Sequence, residues 1–327
     1  MINNETGRGI MKHYFTLLIL LAAVSLNATE HPIAEWDFSG GNINSRCGRY
    51  TAELRGATRI MGDSGSQYLS VGRGPLEMPQ GIALSKNAPE LSPAAFRLEA
   101  TFRLRKEAGS NQKQILWDSK YIDYPMKPDK AEYHCGFVLY LDRNSKGWYT
   151  PKAQIGLGGL KSVDFSGSKI SLKAGTPHTL SFSYDGTGTA EFIIDGKRNA
   201  RIRREGGAMA KSAYGIAIGS RWRSNYFSFD GDIFSVKLYE LERPDFTVEF
   251  RRRSFLQNEK DAFLAFQLYD HRISPARDAA AIEVSGDFQK TLAVQGEGGK
   301  RLKLIRFPLE TRLVKGEYKG KIKVTGN

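Results

Sequence analysis

The chain has 327 residues, of which 40% are hydrophobic and 25% are charged, a composition that excludes a wholly disordered protein. Lysine and arginine total 48 against 35 acidic residues, which gives a formal net charge of +13. A positive excess of this size favours an anionic partner such as acidic polysaccharide, nucleic acid or the cell envelope.

The N-terminal residues 1–29 have the layout of a secretory signal peptide. Lys12 and His13 precede an apolar run of about eleven residues, and the small residues Ser25 and Ala28 follow it. This run is too short for a membrane span of about twenty residues. We therefore expect cleavage between Ser25 and Glu30, a secreted, periplasmic or cell-surface protein, and no transmembrane segment afterwards. Export and the absence of a recognised motif make nucleic acid the weakest partner, and we expect none.

Beyond the leader, short runs of alternating apolar and polar residues recur between Gly, Asp, Asn and Pro, and helix signals are almost absent. This spacing predicts an all-β sandwich or jelly roll. The predicted strands are Ile33–Phe38, Tyr68–Val71, Phe96–Leu104, Gln114–Asp118, Gly136–Leu141, Lys152–Leu157, Thr179–Tyr184, Glu191–Ile194, Gly215–Gly219 and Asp232–Tyr239.

The regular spacing of predicted strands is interrupted at Glu242-Arg243-Pro244, and a second series of predicted strands follows. Its size is that of a small immunoglobulin-like sandwich, so we predict domains at residues 30–242 and 245–327. The predicted strands of the second domain are Phe246–Arg251, Ala262–Tyr269, Ala280–Val284, Gln289–Val294, Leu302–Pro308 and Gly316–Val324.

Two Asp-Gly pairs, Asp185-Gly186 and Asp195-Gly196, separate neighbouring predicted strands. Glycine accepts a positive φ without cost and aspartate tolerates it, so the pairs predict tight turns. We interpret both aspartates as turn residues rather than as catalytic groups.

The order of several segments resembles that of the laminin-G-like, concanavalin A-like lectin-glucanase jelly-roll domains. The resemblance spans about residues 30 to 241, and it implies a jelly-roll β-sandwich. This chain departs from the family at Phe234, where members usually carry an acid. Leu313–Val324 resembles the last hairpin of small bacterial Ig-like β-sandwiches. The segments that carry the main resemblance are Ile33–Phe38, Tyr68–Val71, Phe96–Phe102, His178–Gly196, Ile216–Gly219 and Phe229–Tyr239.

The resemblance also implies a calcium ion in the rim loops, but the sequence locates no calcium site, and we expect no other cofactor. Asp142 to Gly147 supplies oxygen atoms without the spaced acids of a calcium loop, which favours a hairpin turn there. The only cysteines, Cys47 and Cys135, form either a disulfide or two buried thiols.

No catalytic residues are assigned. Related glycosidases carry two or three carboxylates at alternate positions of one strand. Glu240 and Glu242 have this spacing but lie at the domain end, whereas Asp230 and Asp232 straddle a turn. His134 and Cys135 are adjacent and so point to opposite faces of a strand.

The segment Arg221–Phe227 combines the rings, guanidinium groups and amide that recognise sugars or anions. A second segment, Lys120–His134, is one of the longer irregular stretches of the first domain, and long loops on rigid scaffolds often carry binding. The opposing interpretation is that the rings cover the edge of the sandwich. We expect an exported, non-catalytic carbohydrate-binding or adhesion protein with a glycan, acidic polysaccharide included, as partner. The alternatives are an accessory or enzymatic part of a polysaccharide-degrading system, and a purely structural envelope protein. The candidate ligand-binding residues are Arg221, Trp222, Arg223, Asn225 and Tyr226, together with Tyr121 and Tyr124 in the segment Lys120–His134.

Overall fold

The chain divides into two compact units, one from Leu26 to Arg243 and one that comprises Pro244–Asn327 together with Met1–Ser25. The structure is a computed structural model. It describes residues 14–16, 31–46, 50–72, 80–84, 88–105, 113–120, 134–212, 215–221, 227–244, 246–252, 254–256, 263–270, 280–286, 290–294, 302–308 and 320–326.

The described part of the first unit is built from β-strands and two short 3₁₀ turns, Phe38–Gly40 and Pro89–Leu91. The first described strand of the chain, β1 (Tyr14–Thr16), belongs to the second unit. The strands of the first unit are β2 (Ala34–Asp37), β3 (Ala52–Arg55), β4 (Arg59–Met61), β5 (Tyr68–Val71), β6 (Gly81–Leu84), β7 (Phe96–Leu104), β8 (Lys113–Asp118), β9 (Phe137–Arg143), β10 (Tyr149–Gly158), β11 (Lys161–Ser166), β12 (Pro177–Tyr184), β13 (Thr189–Ile194), β14 (Lys197–Arg203), β15 (Ile216–Ile218) and β16 (Gly231–Glu240).

These strands form two antiparallel sheets. The seven-stranded sheet has the order β11-β10-β9-β8-β15-β6-β3. The eight-stranded sheet has the order β14-β13-β12-β7-β16-β5-β4, and β2 also pairs with β16. The predicted all-β jelly-roll sandwich is confirmed.

The core lies between the two sheets, where alternate residues of each strand meet. In β7 every second residue from Phe96 to Leu104 is buried. Aromatic rings join the sheets: the centroid of Phe96 in β7 lies 4.2 Å from that of Phe137 in β9, and Trp36 in β2 packs edge-on against Trp117 in β8 at 5.8 Å. The opposite face of each sheet is therefore the one available to ligands.

Both Asp-Gly turns are confirmed. The backbone N–H groups of Thr187 and Thr189 donate to Oδ1 of Asp185 at 2.8 and 2.9 Å. Asp195 adopts a φ of 50°, and its carboxylate accepts hydrogen bonds from the backbone of Thr179 and from Nδ1 of His178, both at 2.8 Å. Each aspartate closes its own turn, as the sequence predicted.

The described part of the second unit contains two three-stranded antiparallel sheets of the kind expected of a small β-sandwich, with the orders β17-β19-β22 and β21-β20-β23. β1, which lies within the predicted leader, pairs with β18. None of the described helices is long and apolar enough to cross a membrane. The strands are β17 (Phe246–Arg252), β18 (Ser254–Leu256), β19 (Phe263–Asp270), β20 (Ala280–Gly286), β21 (Lys290–Val294), β22 (Leu302–Pro308) and β23 (Gly320–Gly326).

Candidate functional site

The two segments predicted to bind ligand begin on neighbouring strands of the seven-stranded sheet, because β15 pairs with β8. Arg221 is described, as are Lys120, His134 and Phe227 at the segment ends. The other candidates lie outside the described residues, and their role stays a prediction: Trp222, Arg223, Asn225, Tyr226, Tyr121 and Tyr124.

The outward side of strands β8 to β11 carries polar side chains in register. Tyr140 of β9 lies opposite Ile115 of β8 and Lys152 of β10, while Leu139 and Leu141 between these positions point into the core. We call this surface the polar face. Its members are Lys113, Asp118, Tyr140, Asp142, Lys152, Gln154 and Asp164.

Tyr140 lies in the middle of the polar face with charged groups on both sides. The ammonium group of Lys113 is 5.6 Å from the Tyr140 ring centroid and 5.0 Å from that of Phe227. Nζ of Lys152 donates to Oδ2 of Asp142 at 2.5 Å, which raises the pKa of Lys152. Burial raises the pKa of the Tyr140 hydroxyl, so this side chain is neutral at neutral pH.

Lys120 extends the polar face where β8 ends, and only 6% of the residue is exposed. Its Nζ lies 3.1 Å from Nδ1 of His134, so the ammonium group donates and Nδ1 accepts. Burial lowers the pKa of Lys120, although the carboxylates of Asp118 and Asp164 oppose this effect. The pKa of His134 is lowered by burial and by the charge of Lys120.

Asp118 is 1% exposed, and its carboxylate contacts two neighbouring groups. Its Oδ1 accepts the backbone N–H of Lys120 at 3.0 Å, and its Oδ2 lies 4.0 Å from Nε of Arg221. The Arg221 side chain is 39% exposed. The accessible charge at this end of the polar face is therefore that of the guanidinium, since the carboxylate beneath it is buried.

Close backbone contacts fix the points where the two segments leave the sheet. A Cβ on Gly136 would approach the carbonyl oxygen of Ser119 to 2.4 Å, and a Cβ on Gly156 would approach the backbone of His134 equally closely. The second segment is closed at its base by a 2.7 Å hydrogen bond from the N–H of Phe229 to the carbonyl of Gly219. These ends are positioned by the sheet itself.

Three other polar residues of the predicted loops and turns, Asp230, Asp232 and Asn144, have structural partners. Asp232 accepts two hydrogen bonds from Arg103, and Asp230 lies 3.5 Å from Nε of Arg105. Oδ1 of Asn144 accepts the N–H groups of Lys146 and Trp148, which confirms the predicted hairpin turn.

Within the described ranges no group of three His, Cys, Asp or Glu side chains is arranged to hold a metal ion. Cys135 is buried and Cys47 lies outside the described residues, so the disulfide stays a prediction. The calcium ion implied by the resemblance likewise stays an expectation.

The sequence pointed to Arg221 but missed most of the polar face. Tyr140, Asp142 and Lys152 were included in or beside predicted strands, but only for their apolar neighbours. The signal lay in the alternate, polar positions of those strands, which share a face once the strands are paired.

No protein-family model matches the chain, and no curated protein sequence matches it. Solved structures are similar to the chain at low identity, among them the three described next, whose TM-scores are below 0.5 and which identify no family for the chain. Domain 4 of AbnA, a GH43 extracellular arabinanase from Geobacillus stearothermophilus in complex with arabinotriose, is 13% identical with a TM-score of 0.46, covering 66% of this chain and 95% of that chain. The carbohydrate recognition domain of Emp47p is 14% identical with a TM-score of 0.40, and the match covers 65% of this chain and 96% of that chain. The binding domain of botulinum neurotoxin DC in complex with rat synaptotagmin II is 11% identical with a TM-score of 0.42, and the match covers 90% of this chain and 71% of that chain.

Proposed function

We propose that the first unit binds a glycan on the polar face, with acidic glycans preferred, and that the chain acts as an exported, non-catalytic binding or adhesion protein. The observation that carries this proposal is the position of Tyr140 between Lys113 and Lys152, next to the ends of the segments that start at Lys120 and Arg221.

A glycan needs an aromatic surface for its C–H groups and both donors and acceptors for its hydroxyls. Tyr140 supplies the ring, Gln154 an amide with donors and an acceptor, and Asp164 an exposed carboxylate. The guanidinium of Arg221 offers a paired donor set that matches a carboxylate or sulfate group.

The carboxylates of the polar face favour binding over hydrolysis. Glycosidases place two carboxyl groups on either side of the scissile bond. Here Asp118 is buried beneath Arg221, and Asp142 is held by Lys152 at 2.5 Å. Neither is presented to a ligand as a lone acid or nucleophile, so the exposed Asp164 lacks the second carboxyl group that hydrolysis requires.

The test is an array of acidic and neutral glycans probed with the full-length protein at about 50 mM and about 500 mM salt. We expect binding to acidic glycans that weakens at the higher salt concentration, because exposed charges are screened. Tyr140→Ala should weaken it by about tenfold or more, the effect of removing a central anchor. Tyr140→Phe keeps the ring and serves as the matched control.

Two outcomes would contradict the proposal. One is an array on which the wild-type protein binds no glycan at either salt concentration. The other is a folded Tyr140→Ala variant whose glycan binding equals that of the wild-type protein.

A further inference from the structure

The eight-stranded sheet has a cleft of about 280 Å³ on its outward side. The polar face belongs to the other, seven-stranded sheet. The cleft opens where β16 changes partners. Residues Gly231–Ile233 of β16 pair with β5, and Ser235–Leu238 pair with β2, so Phe234 lies at the junction between the two partner strands. We call this opening the Phe234 cleft.

A β-bulge directs Phe234 outward. The register of β16 against β7 shifts between Ile233 and Ser235, which leaves Phe234 as the extra residue. Ile233 and Val236 are fully buried in the core, whereas Phe234 and Ser235 both line the cleft. A bulge is the usual means by which a strand redirects a side chain without leaving its sheet.

The Phe234 ring is held in place from one side. The ring of Tyr68 lies 5.7 Å from it, centroid to centroid, and the guanidinium of Arg103 lies 5.4 Å from the Phe234 ring centroid and 4.9 Å from that of Tyr68. Nε and Nη2 of Arg103 both donate to Asp232, at 2.9 and 2.7 Å. This arrangement fixes the ring before any ligand arrives.

Side chains of both positive and negative charge lie in and beside the cleft. Glu35 and Asp37 line the cleft, and each has a cationic neighbour: Lys237 lies 3.4 Å from Glu35, and Arg46 contacts both carboxylates. Burial acts to raise the pKa of Asp37, but hydrogen bonds from Ser39 and the charges of Arg46 and Lys237 lower it overall. Two carboxylates and two cations make the cleft electrically balanced.

We infer that the Phe234 cleft is a second carbohydrate-binding site, and that its ligand is a neutral sugar residue. The fixed ring suits the C–H face of a sugar, the carboxylates accept hydrogen bonds from its hydroxyls, and the balanced charges give no preference for an ionic ligand. The volume is suited to a small ligand. This site goes beyond the proposed function and does not depend on it, since it lies on the other sheet.

The test is saturation-transfer NMR of the full-length protein with the methyl glycosides of glucose, galactose, mannose, xylose and arabinose. We expect at least one to bind with an affinity that salt does not change. Phe234→Leu keeps an apolar side chain but removes the flat ring, and should weaken binding by about tenfold or more. Phe234→Tyr and the exposed-turn control Trp148→Ala should bind as the wild-type protein does.

Ser235→Leu is an independent test of the cleft. The larger side chain fills the cleft but leaves the contacts of Phe234 with Tyr68 and Arg103 in place, so it should also abolish binding. The inference is overturned if no methyl glycoside binds the wild-type protein, or if Phe234→Leu or Ser235→Leu binds normally while folded. Binding of acidic glycan to the polar face should be unchanged in both variants. Loss of methyl glycoside binding in the cleft can therefore be distinguished from loss of acidic glycan binding on the polar face.

Discussion

Single side chains decide how the hairpins of the first unit close. Asp195 adopts a φ of 50° and accepts hydrogen bonds from Thr179 and His178, each at 2.8 Å. Asparagine tolerates the same φ and also carries a side-chain acceptor, whereas alanine carries none. The carboxamide therefore provides a matched control for the loss of the acceptor.

We expect Asp195→Ala to lower the free energy of unfolding by about 1–3 kcal/mol, because two hydrogen bonds are lost. Asp195→Asn should lose less than half of that. Urea unfolding of the two variants beside the wild-type protein measures the difference. An equal loss in both variants would show that the carboxylate charge, rather than the turn geometry, matters.

A second prediction at the residue scale concerns pH. The pKa of His134 is lowered from 6.5 in the folded protein, so the unfolded chain binds a proton more readily than the folded chain does. Stability should therefore fall as the pH drops below about 6.5, since protonation places a second cation beside Lys120.

Urea midpoints at about pH 7.5 and about pH 5.5 measure this effect. The fall at the lower pH should be smaller in His134→Gln than in the wild-type protein, because the variant has no titrating group at that position. Identical pH profiles would exclude His134 as the cause.

The roles of some single residues could be predicted from the sequence, and those of others could not. The roles of Asp185 and Asp195 were predictable because a turn depends on its own few residues. The contact of Lys120 with His134 was not, since thirteen intervening residues separate two groups that only strand pairing brings to 3.1 Å. The burial of Lys120 follows from tertiary packing alone.

At the scale of elements, strands with clear alternation were predicted in both units, whereas the end strands of the two sheets of the first unit were missed. Phe96–Leu104 has the predicted bounds because one face lies in the core and the other is polar. β3, β4, β11 and β14 are end strands of their sheets. β3, β4 and β14 contain no fully buried residue, which weakens the alternation that identifies a strand, whereas β11 alternates buried and exposed residues and was missed nonetheless. β6 was missed for the opposite reason, because all four of its residues are buried.

The start of β9 provides a prediction for an element. Gly136 has a φ of +64°, and a Cβ there would meet the backbone of Ser119 at 2.4 Å. Gly136→Ala should lower the free energy of unfolding by about 2–5 kcal/mol, through backbone strain and overpacking together. Because His134 is close in sequence, glycan binding on the polar face should weaken as well.

Gly147→Ala is the matched control. Gly147 has a φ of +79°, but a Cβ there would have no heavy atom within 4 Å, so only conformational strain of about 1 kcal/mol is expected. Thermal or urea unfolding compares the two variants. A loss at Gly136 no larger than that at Gly147 would contradict the packing that we assign to the start of β9.

At the scale of the whole molecule, the contacts at the end of the first unit indicate where it can be separated from the second. The N–H of Leu241 donates to the carbonyl of Ala95 at 3.0 Å, and Nε of Arg243 donates to the carbonyl of Gly186 at 3.1 Å. Limited proteolysis should therefore yield a stable fragment that ends at or after Arg243, identified by mass spectrometry. Digestion of the whole chain without a stable fragment near this point would contradict two independently folded domains.

Glycan binding on the polar face can be mapped by hydrogen–deuterium exchange in the presence of the acidic oligosaccharide that binds most strongly on the array. Ligand seated on this face should slow exchange in β8, β9 and β10, because those strands carry Lys113, Tyr140 and Lys152. Strands β12 to β14 belong to the other sheet and should exchange as before. We expect slower exchange in β8 to β10 alone, and unchanged exchange in these strands while oligosaccharide is bound would exclude the polar face as the binding site.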